Sequence, residues 1–295
     1  MDKRIHIPSI YASEQFEKLL GICHPLLDDP MLKGVVLDFS QCKFLAHHAT
    51  AVLGGVAHYL KADDRFLRLD LETISPAIRA NLAQNGLLNY LGHDDEPWDG
   101  NSIPFRHDLT FDRDAIIDYL NHGWLGKGLL NMSQNLKNLI IGQVLEIYLN
   151  GFEHSRSEFG VFSCGQYYPK KKRLKLAIID LGVGIPENVR IFREMPTCPA
   201  EDAMRWAFQQ GTSTQPLPNT ARGIGLDNVR AFISTNQGKL QIYSHDAFVK
   251  ITANNEQYGG QKFPFKGTIV NIDITCDSQY YCLSSELTGS TEPFF

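Results

Sequence analysis

The sequence predicts an α/β chain of two unlike parts: an N-terminal segment where short strands alternate with helices, then a segment built from one long helix and β-hairpins. Three observations carry this. Apolar runs alternate with helical apolar spacing over residues 1–91. "NLKNLIIGQVLEIYLNGFEHS" has apolar residues at 136, 140, 144, 147 and 151, the spacing of one buried helix face. The apolar runs "GVFSCGQYY" and "LKLAIID" flank "PKKKR" (Pro169–Arg173), as in a hairpin with a solvated turn. With 295 residues the chain fits about two domains. Its 43% hydrophobic and 21% charged content predicts a packed core.

In order, "GVVLDFS" (Gly34–Ser40) reads as a strand, "HHATAVLGGVAHYLK" as a helix and "FLRLDL" as a second strand. "SPAIRANLAQNGLLNYL" opens with serine and proline, a good helix start. These define a β/α domain over 1–91. "GHDDEPWDGNSIP" (92–104) is polar, with glycine and two prolines, and reads as a linker. The second domain covers 105–277: the long helix, the hairpin ending at Asp180, and a polar segment with "PAEDAMRWAFQQ" as a helix. The glycine-rich "GTSTQPLPNTARGIGLDNVRAF" follows, then strand-like "GKLQIYS", "FVKITAN" and "GTIVNIDI". Residues 278–295 read as a polar, loosely held tail.

The net charge of −5 gives no global case for nucleic-acid binding. No apolar run approaches the ~20 residues that span a bilayer, and "MDKRIHIPSIYAS" lacks the apolar core of a signal peptide. Six cysteines without a Cys-x-x-Cys pair argue against a cysteine zinc site and fit reduced thiols. A cytoplasmic protein without membrane partners is expected.

Two stretches point to chemistry. "DLGVGIP" (Asp180–Pro186) ends a strand on a carboxylate and then uses two glycines, as a ligand-binding loop or an ordinary tight turn would. Glu146, Asn150 and His154 are spaced by four and share one helix face, which is either a site or a solvated stripe. Their order is informative: Glu-x-x-x-Asn on a helix, Asp-x-Gly-x-Gly after a strand, Gly-x-Gly-Leu opening a helix, and a late Gly-Thr on the final strand. Over roughly 130–275 this order resembles the GHKL ATPase superfamily of histidine kinases, gyrase-type ATPases and anti-sigma-factor kinases. The resemblance implies a Bergerat α/β sandwich with a mixed, mostly antiparallel sheet, binding ATP and Mg2+. It gives Asn150 the role of magnesium ligand, with His154 beside the nucleotide, and makes Glu146 the catalytic acid that activates water or assists the phosphoryl acceptor. It makes Asp180 the acceptor for the adenine amine, with Gly182 and Gly184 letting backbone close on the base. It puts Thr212 and Ser213 of "GTST" in a lid, and Arg222, Gly223, Gly225 and Leu226 of "RGIGLDNV" at the phosphates. Thr268 of "KGTIV" lies at the base of the adenine pocket. A P-loop is excluded by the absence of its motif, and "GVGIPE" lacks the third glycine of a dinucleotide fingerprint.

The first domain resembles a STAS module through "VVLDFSQCKFLAHHATAVL" and "ISPAIRANLAQNGLLNYL". It departs where phosphorylated members carry an Asp-Ser pair: the positions read Ala46 and His47, followed by His48. Adjacent histidines at a helix start are expected to be surface residues, so the module implies docking to a protein partner or a second copy. The leading expectation is an ATP-driven switch that hydrolyses ATP. Rivals are a serine or histidine protein kinase of the anti-sigma type and a nucleotide sensor without turnover. Lids over phosphates commonly order on ligand binding. Residues 211–222 should therefore be protected from protease by magnesium and a non-hydrolysable ATP analogue; equal cleavage with and without nucleotide would count against a gating role.

Overall fold

The computed structural model describes residues 3–12, 15–29, 31–128, 130–209 and 227–287. The N-terminal alternation forms β1 (Lys3–His6), α1 (Phe16–Asp28), β2 (Gly34–Asp38), α2 (His47–Ala62) and β3 (Phe66–Leu69). The strands pair in parallel in the order β1-β2-β3. Parallel neighbours need crossover connections, which α1 and α2 supply. The helix expected from Ser75 begins as α3 (Pro76–Gln84), where the Ser75 side chain accepts the Ile78 N–H. It does not run through: Gly86 takes a left-handed φ of 85°, and the chain restarts as α4 (Leu87–Tyr90).

The second part holds β4 (Ser102–Asp108), α5 (Arg113–Asp118), β5 (Asn131–Met132), α6 (Gln134–Glu153), β6 (Val161–Tyr168) and β7 (Arg173–Asp180). There follow α7 (Ile185–Phe192), α8 (Ala200–Ala207), α9 (Asp227–Thr235), β8 (Lys239–Thr252), β9 (Glu256–Thr275) and β10 (Tyr280–Tyr281). Five strands form one sheet in the order β4-β6-β7-β9-β8. Every pairing in it is antiparallel, so the mixed sheet expected here is antiparallel throughout. Parallel pairing occurs in the N-terminal sheet and between β5 and β10.

"GKLQIYS" and "FVKITAN" are one strand, β8, which bends through register shifts between Ser244 and Ala247 instead of ending there. The polar segment after Asp180 holds an unforeseen helix, α7, with Pro186 in its first turn. The last residues of the stretch read as linker already belong to β4, where Ser102 and Ile103 are buried. The tail is held as far as Leu287: Tyr281 is buried, and Glu286 accepts hydrogen bonds from Ser133 and Asn135. The expectation of a loose tail therefore fails for 278–287, because one carboxylate ties it to the start of α6.

The five-stranded sheet is covered on both faces. Leu174, Leu176 and Ile178 of β7 join the core beneath α6, α8 and α9, while Ala177 and Ile179, followed by Leu181, join the core that contains α1 and α2. Residues 1–91 thus share a core with the sheet. α2 lies between the two sheets, with every residue from His47 to Ala57 buried, as befits a central helix. Glycine permits the approach: a Cβ on Gly54 would lie 2.4 Å from the Phe105 ring.

This packing overturns the surface placement of the histidine pair. His47 and His48 are each 2% exposed, because the start of α2 is pressed between the sheets. His47 Nε2 lies 3.0 Å from Asn271 Oδ1, and Nδ1 lies 3.3 Å from the Tyr168 hydroxyl. Burial lowers the His47 imidazole to about 3, so it is neutral at ordinary pH. His48 packs 4.9 Å from the Phe16 ring, and both its ring nitrogens lack hydrogen-bond partners among the described residues. Among the described residues no helix is long and apolar enough to cross a membrane.

Phe16 is fully buried and stacks on Tyr243 of the sheet at 4.7 Å, joining the two parts of the chain. Phe16→Ala should cost about 3–5 kcal/mol in denaturant unfolding. A loss below 1 kcal/mol would show that the N-terminal layer does not depend on this contact.

Candidate functional site

The site is assembled by the end of α6 and the end of β7. α6 starts at Ser133, whose hydroxyl accepts the Leu136 N–H at 3.2 Å. Its buried stripe includes Leu136, Ile140, Val144, Ile147 and Gly151, as the spacing predicts, and Tyr148 beside them. Glu146, Asn150 and His154 are half-buried along the neighbouring stripe. Gly151 was read only as part of the apolar face, yet it sets the geometry. A Cβ there would lie 2.7 Å from Val161 Cγ2 and 3.8 Å from Asp180 Cβ. The missing side chain lets the turn that carries Asn150 and His154 settle onto the strand end that carries Asp180.

Two hydrogen bonds hold this junction. The Val183 N–H donates to the Ser155 carbonyl at 2.9 Å, and the Asn188 amide donates to the His154 carbonyl at 2.7 Å. A Cβ on Gly182 would fall 2.0 Å from the Ser155 carbonyl oxygen. Gly184 has φ 80°, and a Cβ there would meet Ser244 Oγ at 2.9 Å. The space beside both glycines is therefore filled by the chain itself, where the sequence reading opened it for a base. Their smallness serves the close approach of loop, helix end and β8.

Asp180 is 9% exposed and pairs in register with Thr268 on β9. Its Oδ1 accepts the Gly182 N–H at 3.0 Å. Burial pushes the carboxyl up to about 7, against hydrogen bonds from Gly182 and Thr268 that favour the carboxylate. Thr268 Oγ1 lies 2.8 Å from Ser244 Oγ, and Ser244 Oγ accepts the Ile185 N–H at 2.7 Å. Asp180 is thereby connected through Thr268 and Ser244 to the start of α7. Gly267, the residue before Thr268, has φ 117°, and a Cβ there would lie 2.0 Å from the Asp180 carbonyl oxygen. Sequence reasoning missed Ser244, Gly267 and Asn188. The "GT" pair quoted for Thr268 was the available signal for Gly267, and nothing in "GKLQIYS" marked Ser244.

The structure thus brings Asn150, His154, Asp180, Gly182, Gly184 and Thr268 to one corner, with Glu146 one turn back along α6. Thr212, Ser213, Arg222, Gly223, Gly225 and Leu226 lie outside the described residues. Among the described residues no group of three or more His, Cys, Asp and Glu side chains could hold a metal. A magnesium site at this corner would rest on the amide oxygen of Asn150, a hard donor suited to an ion that keeps water and phosphate ligands.

A cavity of about 550 Å³ lies against the same loop, lined among others by Arg156, Phe159, Val183, Glu187, His245 and Lys266. Of the predicted site residues that are described, only Gly182 borders it. Leu181 and Phe265 on its wall belong to the core that contains α1 and α2, so it opens on that side of the loop. Neither a scan against protein-family models nor a search of curated proteins returned a match to this chain.

A carboxyl raised from 3.8 to about 7 binds its proton more tightly in the folded chain than in the unfolded one. Its favourable contribution is present below about pH 4 and lost as pH rises toward 7, by about 4 kcal/mol at most. Asp180→Asn should remove this slope. The stability of wild type relative to the variant should fall between pH 5 and pH 8 in paired denaturant titrations. A difference independent of pH would contradict the raised value.

Proposed function

We propose that this protein binds magnesium-ATP in the manner of the GHKL ATPases and works as a nucleotide-driven conformational switch. The observation that carries the reading is Asp180: a buried carboxyl at the end of a central strand, oriented by Gly182 and Thr268, beside the helix turn that bears Asn150. A buried carboxylate held by two partners retains lone-pair capacity for a third donor. In this reading the third donor is the exocyclic amine of adenine. Asn150 holds magnesium through its amide oxygen, and the metal, when bound, offsets phosphate charge. Glu146, one turn earlier on the same face, orients and deprotonates the attacking water. Arg222, Gly223, Gly225 and Leu226 take the phosphates, with Thr212 and Ser213 in the covering lid. His154 lines the nucleotide side of the same turn.

Support for a switch comes from the packing. The loop after Asp180 is hydrogen-bonded to the end of α6, and Leu181 belongs to the core that includes α1 and α2. A ligand that moves the loop acts on the layer formed by residues 1–91, whose outer surface would meet a protein partner or a second copy. The burial of His47 and His48 speaks against their serving as phosphoacceptors in this folded state, since neither imidazole is open to a γ-phosphate.

Adenine binding to the carboxylate expels the Asp180 proton, so ATP affinity should fall as pH drops from 8 to 6, by up to about tenfold per unit below the pKa. Asp180→Asn should bind ATP weakly and without this pH dependence. Calorimetry showing tight, pH-independent binding in wild type would remove the adenine role.

Glu146→Ala should keep ATP affinity and lose turnover by about a hundredfold or more, while Asn150→Ala should lose the magnesium-dependent part of the affinity. With γ-labelled ATP, free phosphate supports the switch. Label transferred to a protein supports the kinase reading, and the absence of both products supports a sensor. Equal turnover in Glu146→Ala and wild type would exclude Glu146 as general base.

A further inference from the structure

Away from the nucleotide corner, three side chains from three elements converge where the N-terminal layer meets the sheet edge. The Tyr90 hydroxyl, at the end of α4, lies 3.0 Å from His58 Nδ1 on α2 and 3.0 Å from His107 Nδ1 on β4. The two imidazole rings are 4.3 Å apart and inclined at 64°. His107 is held by stacking on Phe162, at 4.1 Å and 11°. Its Nε2 lies 2.8 Å from the Phe159 carbonyl and must donate to it. That contact fixes the tautomer and leaves Nδ1 as a bare lone pair directed at the phenol.

We infer that His58, His107 and Tyr90 form a binding site for a divalent transition-metal ion of the imidazole-preferring class, zinc or a neighbour. Tetrahedral zinc with bonds of about 2.0–2.1 Å sets adjacent ligand atoms about 3.3 Å apart. The two observed oxygen–nitrogen separations of 3.0 Å reach this by shifts of a few tenths of an ångström. Histidines that ligate metal commonly donate their other N–H to a carbonyl, as His107 does. Phenol takes the third position.

The electrostatics agree. Burial, with its neighbouring histidine and Lys61, holds His58 below the ordinary value, and burial does the same for His107, so both are neutral and able to ligate near pH 7. Asp108 is occupied by Arg106 and does not compete. Burial pushes the Tyr90 phenol up to about 12, so without metal it keeps its proton. The phenol then donates to His107 Nδ1 and accepts from His58 Nδ1–H. Binding forms the metal–oxygen bond and releases the phenolic proton to solvent; His58 shifts its Nδ1 proton to Nε2, so both neutral imidazoles present an Nδ1 lone pair to the ion. Tyr90 is 37% exposed, which leaves a route for the ion and room for a water as fourth ligand. The bound ion ties α2 and α4 to β4, fastening the N-terminal layer to the sheet.

The test uses the full chain, stripped with chelator and titrated with Co(II), then Zn(II). One equivalent of Co(II) should give a visible ligand-field band that one equivalent of Zn(II) displaces, with proton release, and Zn(II) should raise Tm by several degrees. His58→Ala and His107→Ala should abolish the band. Tyr90→Phe, which keeps the ring against Phe105, should weaken Zn(II) binding at least tenfold. The proposal is overturned if wild type shows no stoichiometric Co(II) band, or if the band persists in both histidine variants. If either histidine variant fails to fold, unchanged Zn(II) affinity in Tyr90→Phe overturns it equally.

Discussion

The structure depends on β7 being buried on both faces. One face meets the helices α6, α8 and α9, the other meets α1 and α2, and the strand alternates its apolar side chains between them. A strand so enclosed must satisfy its backbone within the sheet, which it does through β6 and β9 along its whole length. Its last residue is an aspartate, which therefore ends up where a charge is costly. The same enclosure explains why residues 1–91 cannot be considered apart from the sheet: they supply one of its two covers.

Asp180 turns that cost into a property. A carboxyl buried at a strand end prefers its proton near neutral pH unless donors surround it. Here two donors do so incompletely, and the group titrates in a range where a further donor decides its state. Around it, Gly151, Gly182, Gly184 and Gly267 allow helix, loop and neighbouring strands to approach so closely that a methyl group at any of them would meet existing atoms. The corner is filled by its own backbone. In the proposed reading a nucleotide would lie over the Asn150 side of the corner, with the loop as its floor.

Much of this was legible in the sequence. The spacing of Leu136, Ile140 and Val144 gave α6 its bounds within a residue or two, and "LKLAIID" placed Asp180 at the end of a buried strand. What was not legible is long-range. The glycine at 86 breaks a helix whose apolar pattern continues through it. The bend at Ser244 to Ala247 keeps one strand going where two runs suggested a break. His47 and His48 look like polar surface residues in sequence and are buried because two sheets close on one helix start. The roles of Gly151 and Gly267 depend on strands and loops distant in the chain, and no local pattern encodes them. Nor does local sequence bring His58, Tyr90 and His107 together, since each lies on a different element.

The claim that Asp180 reads adenine is tested most directly by comparing two nucleotides that differ at the group it is said to bind. Calorimetric titration of the wild-type chain at pH 8 with magnesium-ATP and magnesium-ITP isolates the exocyclic amine, which ITP lacks. A site built to accept that hydrogen bond leaves its buried carboxylate unpaired when the amine is missing. The account predicts ATP binding at least tenfold tighter than ITP in wild type, with the preference lost in Asp180→Asn. Equal affinity of wild type for the two nucleotides would contradict it.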